Sequence, residues 1–205
     1  MRAALAGATG LVGGRVLRRL LDDPAVTRVV APTRRPLPAH PKLDNPLLSG
    51  SWPALPPVDE AYGCLGTTRK DAGSAEAFRA VDFDLAVGFA AAARAAGAGA
   101  FGLVSSLGAD ADSSFLYPRV KGEAEDAISA LGFASLAIIR PSLLLGARER
   151  PRPAERLGEV VFAALDPLLL GPLSKYRAVA ADEVASALVG AVRKRVPGDL
   201  VIFPR

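Results

Sequence analysis

Three features predict an α/β protein built on a doubly wound parallel sheet. Strand-like and helix-like patterns alternate along the chain, a glycine-rich turn follows the first strand, and the strands read as short uninterrupted apolar runs suited to burial on both faces. A length of 205 residues is read as one domain, residues 1–205, able to bury a sizeable core. Half of the residues are hydrophobic and 22% are charged, which argues against a disordered chain. The longest uncharged stretch, 95–109, has 15 residues and is rich in Gly and Ser, whereas a spanning helix needs about 20 apolar ones. A single Cys and a single His argue against a disulfide framework, a Cys-built metal site and a multi-histidine zinc centre, so no metal is expected.

The first strand is expected at residues 2–6 and a helix after the glycine turn. On that helix Val12, Val16 and Leu20 share a face with Leu17 and Leu21, while Arg15, Arg18 and Arg19 point away. Asp22-Asp23-Pro24 ends it, and residues 26–31 read as the second strand. Eight prolines between positions 32 and 57 predict a loop with a short edge strand near Leu47. Strands follow at 60–65, 100–105 and 135–140. Helices are expected at about 74–96 and 115–131. Beyond Pro141 a charged, Pro-containing loop precedes a helix to about 165, and 147–180 is read as a small substrate lid. A helix at 181–195 and a strand at 199–203 close the chain.

Gly7-Ala8-Thr9-Gly10-Leu11-Val12-Gly13 lies between the first strand and the first helix. A pyrophosphate needs bare backbone N–H groups at a helix N-terminus, where the peptide dipoles favour negative charge. Gly7 permits the tight turn, Gly10 lets the backbone approach the phosphates, and Gly13 allows close packing of helix on strand. A dinucleotide-binding Rossmann fold follows from that context. An acid about 20 residues past the loop would hold the ribose 2′-hydroxyl of NAD. Here that count reaches Thr33, Arg34 and Arg35, with no acid nearby. Guanidinium groups pair with a 2′-phosphate that a carboxylate would repel, so the cofactor is read as NADP, with NAD less favoured.

Tyr117 and Lys121 stand at i and i+4, so on a helix both side chains can face one site. A tyrosine ordinarily titrates near 10, and a cation beside it favours the phenolate that acid–base work at neutral pH requires. Ser105 and Ser106 lie at the C-terminal end of a strand, the edge where doubly wound sheets bind ligands. A hydroxyl there can stabilise negative charge developing on a substrate carbonyl. Ser106 is the catalytic candidate, with Ser105 beside the cofactor and a capping role the alternative for either.

The GATGxxG spelling of the glycine loop and the Tyr-x-x-x-Lys pair resemble the short-chain dehydrogenase/reductase superfamily, in its atypical branches. In that superfamily the second serine of such a pair is the usual catalytic position. Residues 64–69, 105–110, 115–123 and 140–146 are similar to the Tat-interacting-protein-like group. The resemblance implies that Leu65, Gly66 and Thr67 line the cofactor after the fourth strand and that Pro141 and Leu143 face the nicotinamide carboxamide. Typical members of the superfamily carry an Asn in the long helix as part of a proton relay. The corresponding stretch here, Val81-Asp82-Phe83-Asp84, has none.

The expected function is therefore hydride transfer between nicotinamide and a small carbonyl or alcohol. The alternative is a regulatory or interaction protein that binds NADP(H) with little turnover. A sugar-nucleotide epimerase would carry a larger substrate domain. A net charge of +4, spread without a basic stripe, predicts no nucleic-acid role, and no membrane role is expected. The apolar run at 165–173 reads equally as lid or as contact in a homodimer. Because residues 2–13 are explained by the strand and the phosphate loop rather than by a signal peptide, the protein is expected in the cytoplasm.

Overall fold

The computed structural model describes residues 1–142, 144–145 and 178–204. Strands β1 (Arg2–Ala6), β2 (Arg28–Val30), β3 (Leu43–Asp44), β4 (Glu60–Gly63), β5 (Ala100–Val104), β6 (Ser135–Ile139) and β9 (Gly198–Ile202) form one sheet. Their spatial order is β3-β2-β1-β4-β5-β6-β9, and every pairing is parallel. The chain leaves β1 in one direction for β2 and β3 and later returns to the other side of β1 with β4. The order therefore reverses between β1 and β4, and ligands of doubly wound folds bind outside the strand ends at such a point.

The two faces of the sheet bury separate cores. Helices α1 (Gly13–Asp22) and α6 (Ala181–Lys194) cover one face, where Val16, Leu20, Leu188 and Val192 are fully buried. The 3.6-residue spacing of Val16, Leu17 and Leu20 predicted this face of α1. On the other face a long helical stretch and α5 (Leu116–Ser129) enclose Phe89, Phe101, Ile128 and Phe133. Phe101 stacks on Phe133 with centroids 4.9 Å apart. Each aromatic pair of this kind adds about 0.5–1.5 kcal/mol beyond its buried area.

Three local departures from the sequence reading concern the site. The edge strand falls at Leu43–Asp44 rather than near Leu47, and Leu47 instead bridges Thr33. The long helix is not regular: α3 (Ala75–Arg79) and α4 (Ala86–Ala95) are joined by a π-helical turn at Ala80–Leu85. Ser74 caps its start by accepting from the Ala77 N–H at 3.1 Å. A four-residue helix α2 (Arg69–Ala72), which the sequence reading passed over, is capped by Thr68. A second, two-stranded parallel pair joins β7 (Leu144–Leu145) to β8 (Val179–Ala180). The expected lid lies outside the described residues, apart from 178–180. Among the described residues no helix is long and apolar enough to cross a membrane, and no cluster of His, Cys, Asp or Glu could hold a metal.

Candidate cofactor and catalytic site

At the end of β1, Gly7 turns the chain with a φ of +82°. A side chain on Gly7 would collide with the Cys64 carbonyl of the neighbouring strand, and one on Gly13 with the Gly7 carbonyl. These two glycines let the loop fold onto itself and onto β4. The Gly10 N–H donates to the Gly7 carbonyl at 2.8 Å, and Gly14 donates to Gly10 at 2.9 Å. No side chain caps the N-terminus of α1 and no carboxylate lies in its first turn. Among the described residues, the positive end of its dipole thus has no capping side chain or first-turn carboxylate.

A cavity of about 1360 Å³ opens there, at the reversal point of the sheet. That exceeds the roughly 300–1,000 Å³ typical of small-molecule sites. Thr9, Gly10, Leu11 and Val12 line the cavity, as do Arg15, Arg18 and Arg35. Leu65, Gly66 and Thr67 also line it, together with Ser105, Tyr117 and Lys121. Most of the residues singled out from sequence are therefore brought to one volume. Gly7 and Gly13 shape the loop from beneath.

The arginine end departs from the sequence reading. Thr33 is buried and serves the loop: its hydroxyl donates to the Arg35 carbonyl at 2.6 Å and accepts from Asn45 at 2.8 Å. Arg35 reaches the cavity, while Arg34 is exposed and does not line it. Arg15 and Arg18 point away from the core as expected, and they also line the cavity. They lie in the first two turns of α1, beside the phosphate loop, and a face turned from the core there still borders the open end of the sheet. Arg19 pairs with Asp182 on α6 at 2.5 Å.

Tyr117 and Lys121 occupy one face of α5, and both line the cavity. The Tyr117 ring packs on Phe78 with centroids 5.6 Å apart. Lys121 is buried, and its ammonium lies 2.6 Å from Oδ1 of Asp82, whose side chain is fully buried in the π-helical turn. Asp82 also accepts from the Thr67 N–H at 2.9 Å through Oδ2. The carboxylate therefore ties the loop after β4 to the lysine of α5. Sequence reasoning marked this position only for lacking an Asn.

Of the two serines, Ser105 lines the cavity and Ser106 does not. The Ser105 hydroxyl donates to the buried Glu125, which Arg140 grips through Nε at 3.1 Å to both oxygens. That hydrogen bond, ahead of the cost of burial, raises the Arg140 guanidinium above its ordinary value. Ser106 donates to the Leu107 carbonyl over a long 3.3 Å. Pro141 is buried and accepts from the Leu107 N–H at 2.8 Å without lining the cavity. Leu143 lies outside the described residues. Cys64 lines the cavity, but burial pushes its thiol up to about 12, so it packs rather than reacts.

The fold is the doubly wound, Rossmann-like fold of NAD(P)-binding proteins. Three solved structures carry this fold, each across 98% of the chain. UDP-glucuronic acid 4-epimerase from Bacillus cereus in complex with NAD gives a TM-score of 0.71 at 15% identity over 78% of its own length. The human epimerase family protein SDR39U1 with NADPH gives 0.64 at 17% over 73%. The oxidoreductase ylbE from Lactococcus lactis gives 0.68 at 17% over 89%. No protein-family model matches the chain. "Protein fmp52, mitochondrial" of Aspergillus clavatus is 40% identical over 96% of this chain and 89% of its own, and its namesake in Emericella nidulans is 37% identical over the same shares. The chain belongs to the Fmp52 family. Its curated relatives are named as mitochondrial, which overturns the expected cytoplasmic location. That expectation rested on the absence of a secretory signal, which does not bear on the mitochondrion. The narrower Tat-interacting-protein-like resemblance has no counterpart among these names.

Proposed function

We propose that the protein is an NADP-dependent oxidoreductase acting on a small carbonyl or alcohol. The observation that carries this reading is a single cavity that joins an uncapped helix N-terminus, three arginines and the Tyr117–Lys121 pair. Bound at this site, the nicotinamide supplies or accepts the hydride. The residues present fit NADP. The first turn of α1 offers N–H groups to the pyrophosphate, and Arg35, Arg15 and Arg18 offer guanidinium groups to a 2′-phosphate. Lys121 offers the donors not held by Asp82 to the ribose hydroxyls. Tyr117, one turn earlier on α5, gives its phenolic proton to the carbonyl oxygen as negative charge develops there, and takes it back in the reverse direction. Ser106 joins as a second donor only by leaving the Leu107 carbonyl.

The placement of Ser106 also favours a second reading, a protein that holds NADP(H) for regulation with little turnover. Tyr117→Phe separates the two. Under the oxidoreductase reading, turnover of a panel of small aldehydes and ketones falls roughly 100-fold or more while the NADPH dissociation constant stays within about twofold. Unchanged turnover in that variant overturns the role of Tyr117. A wild-type chain that binds NADPH and turns over none of the panel supports the regulatory reading.

A further inference from the structure

The Lys121–Asp82 pair is the most deeply buried ion pair among the described residues, with side-chain exposures of 8% and 0%, and it forms a wall of the cavity. A buried pair is weak evidence for stability, because desolvation offsets the attraction between its members. Its other effect is on the field in the cavity, since it sets the charge a ligand meets beside α5. The other charged groups near this wall differ in what they meet. Glu125 is held by Ser105 and Arg140, and Glu123 by Arg79 and Arg119. Asp84 faces solvent, and Asp71, exposed on α2, lines the same cavity. Arg15, Arg18 and Arg35 line the cavity beside the phosphate loop. Among the described residues, Asp82 is the carboxylate in ion-pair contact with Lys121, at 2.6 Å.

We infer that Asp82 tunes the oxidation-state preference of the bound dinucleotide, by neutralising Lys121 so that the site accepts the positively charged oxidised nicotinamide as readily as the uncharged reduced one. Without Asp82 a lone buried ammonium would repel the oxidised ring and leave the reduced ring untouched. The geometry makes this a charge effect and not only a packing effect. Asp82 has a second, charge-independent task in accepting from the Thr67 N–H at 2.9 Å, and an asparagine there can still perform it. The π-helical turn brings the carboxylate to this place, and such turns recur at functional sites. The inference rests on the NADP-binding reading above.

The test compares equilibrium dissociation constants for NADP⁺ and NADPH in the wild type, Asp82→Asn, Lys121→Gln and the double variant, with thermal melting as a control for folding. Asp82→Asn is expected to weaken NADP⁺ relative to NADPH by roughly three- to thirtyfold, the effect of one unit charge over about 10 Å in a partly hydrated cleft. Lys121→Gln, which leaves the carboxylate alone, moves the ratio the opposite way. The double variant, again without net charge, returns to within about twofold of the wild-type ratio. Added salt reduces each shift only weakly, because the pair is buried. If all four proteins fold and bind both forms with one unchanged ratio, the inference is overturned and the NADP-binding reading survives. If folded wild type binds neither form, the NADP reading itself fails, and the inference fails with it. Should Asp82→Asn fail to fold, Lys121→Gln and the double variant still decide the matter.

Discussion

Where the strands begin, Arg193 near the end of α6 donates to Asp23 beyond α1 and lies 4.0 Å from Glu60, a fully buried carboxylate on β4. Glu60 accepts from the Tyr62 hydroxyl at 2.9 Å. Where the strands end, Lys121 meets Asp82 across the wall of an open cavity. Both assemblies bury charge, but their partners differ. At the first, ion pairs and hydrogen bonds among these groups tie the end of α1, α6 and β4 together, leaving one Glu60 oxygen and two Arg193 nitrogens without a hydrogen-bond partner among the described residues. The hydrogen bond from Arg193 holds the Asp23 carboxyl below its ordinary value, and burial followed by the charge of Glu60 drives the Tyr62 phenol far upward. At the second, an ammonium and a carboxylate share a surface with space for a ligand. One sheet thus has a structural end and a chemical end, and the difference lies in what the buried charges face.

Removing the shared partner at the structural end gives the largest expected effect on stability. Arg193→Met leaves Asp23 and Glu60 without their cation, and unfolding in urea should require about 2–4 kcal/mol less. The affinity for NADPH should stay within about twofold. A change in affinity larger than the change in stability would show that the two ends are not separate.

A smaller effect concerns Cys64, at the chemical end, where burial alone acts on its thiol. Its thiol has a folded value of about 12 against an ordinary 9.0. The unfolded chain therefore releases this proton first as pH rises, and folded stability falls across the window from about 9 to 12. Near pH 10 the loss should reach about 1 kcal/mol in the wild type and be absent in Cys64→Ala. A wild-type stability that is flat through this window would mean that the thiol is not held in a dry place.

The sequence was most informative where a residue has only one physical use. Gly7 and Gly13 permit no other residue, and their spacing between strand and helix named the phosphate loop. The apolar period of α1 and the unbroken apolar strands revealed the sheet and its two cores. Tyr117 and Lys121 share a face because four residues make about one helical turn. What escaped the sequence depends on contacts between distant segments. Arg15 and Arg18 look solvent-facing on a helical wheel, which shows the core but not the cavity beside it. Asp82 gains its meaning from Lys121, thirty-nine positions away, and from a π-helical turn that a regular 3.6-residue period cannot express. Of the three residues read from sequence as meeting a 2′-phosphate, Arg35 lines the cavity, Arg34 does not, and Thr33 spends its hydroxyl on the loop.

The proposed NADP site depends on the phosphate loop at the chemical end and on the guanidinium groups beside it. Parallel titrations of the protein with NADPH and NADH, followed by nicotinamide fluorescence and repeated on Arg35→Ala, test it most directly. The account predicts a preference for NADPH of tenfold or more, about 1.4 kcal/mol, that shrinks in Arg35→Ala while NADH binding is unchanged. Equal binding of both nucleotides would contradict the arginine assignment, and binding of neither would contradict the site itself.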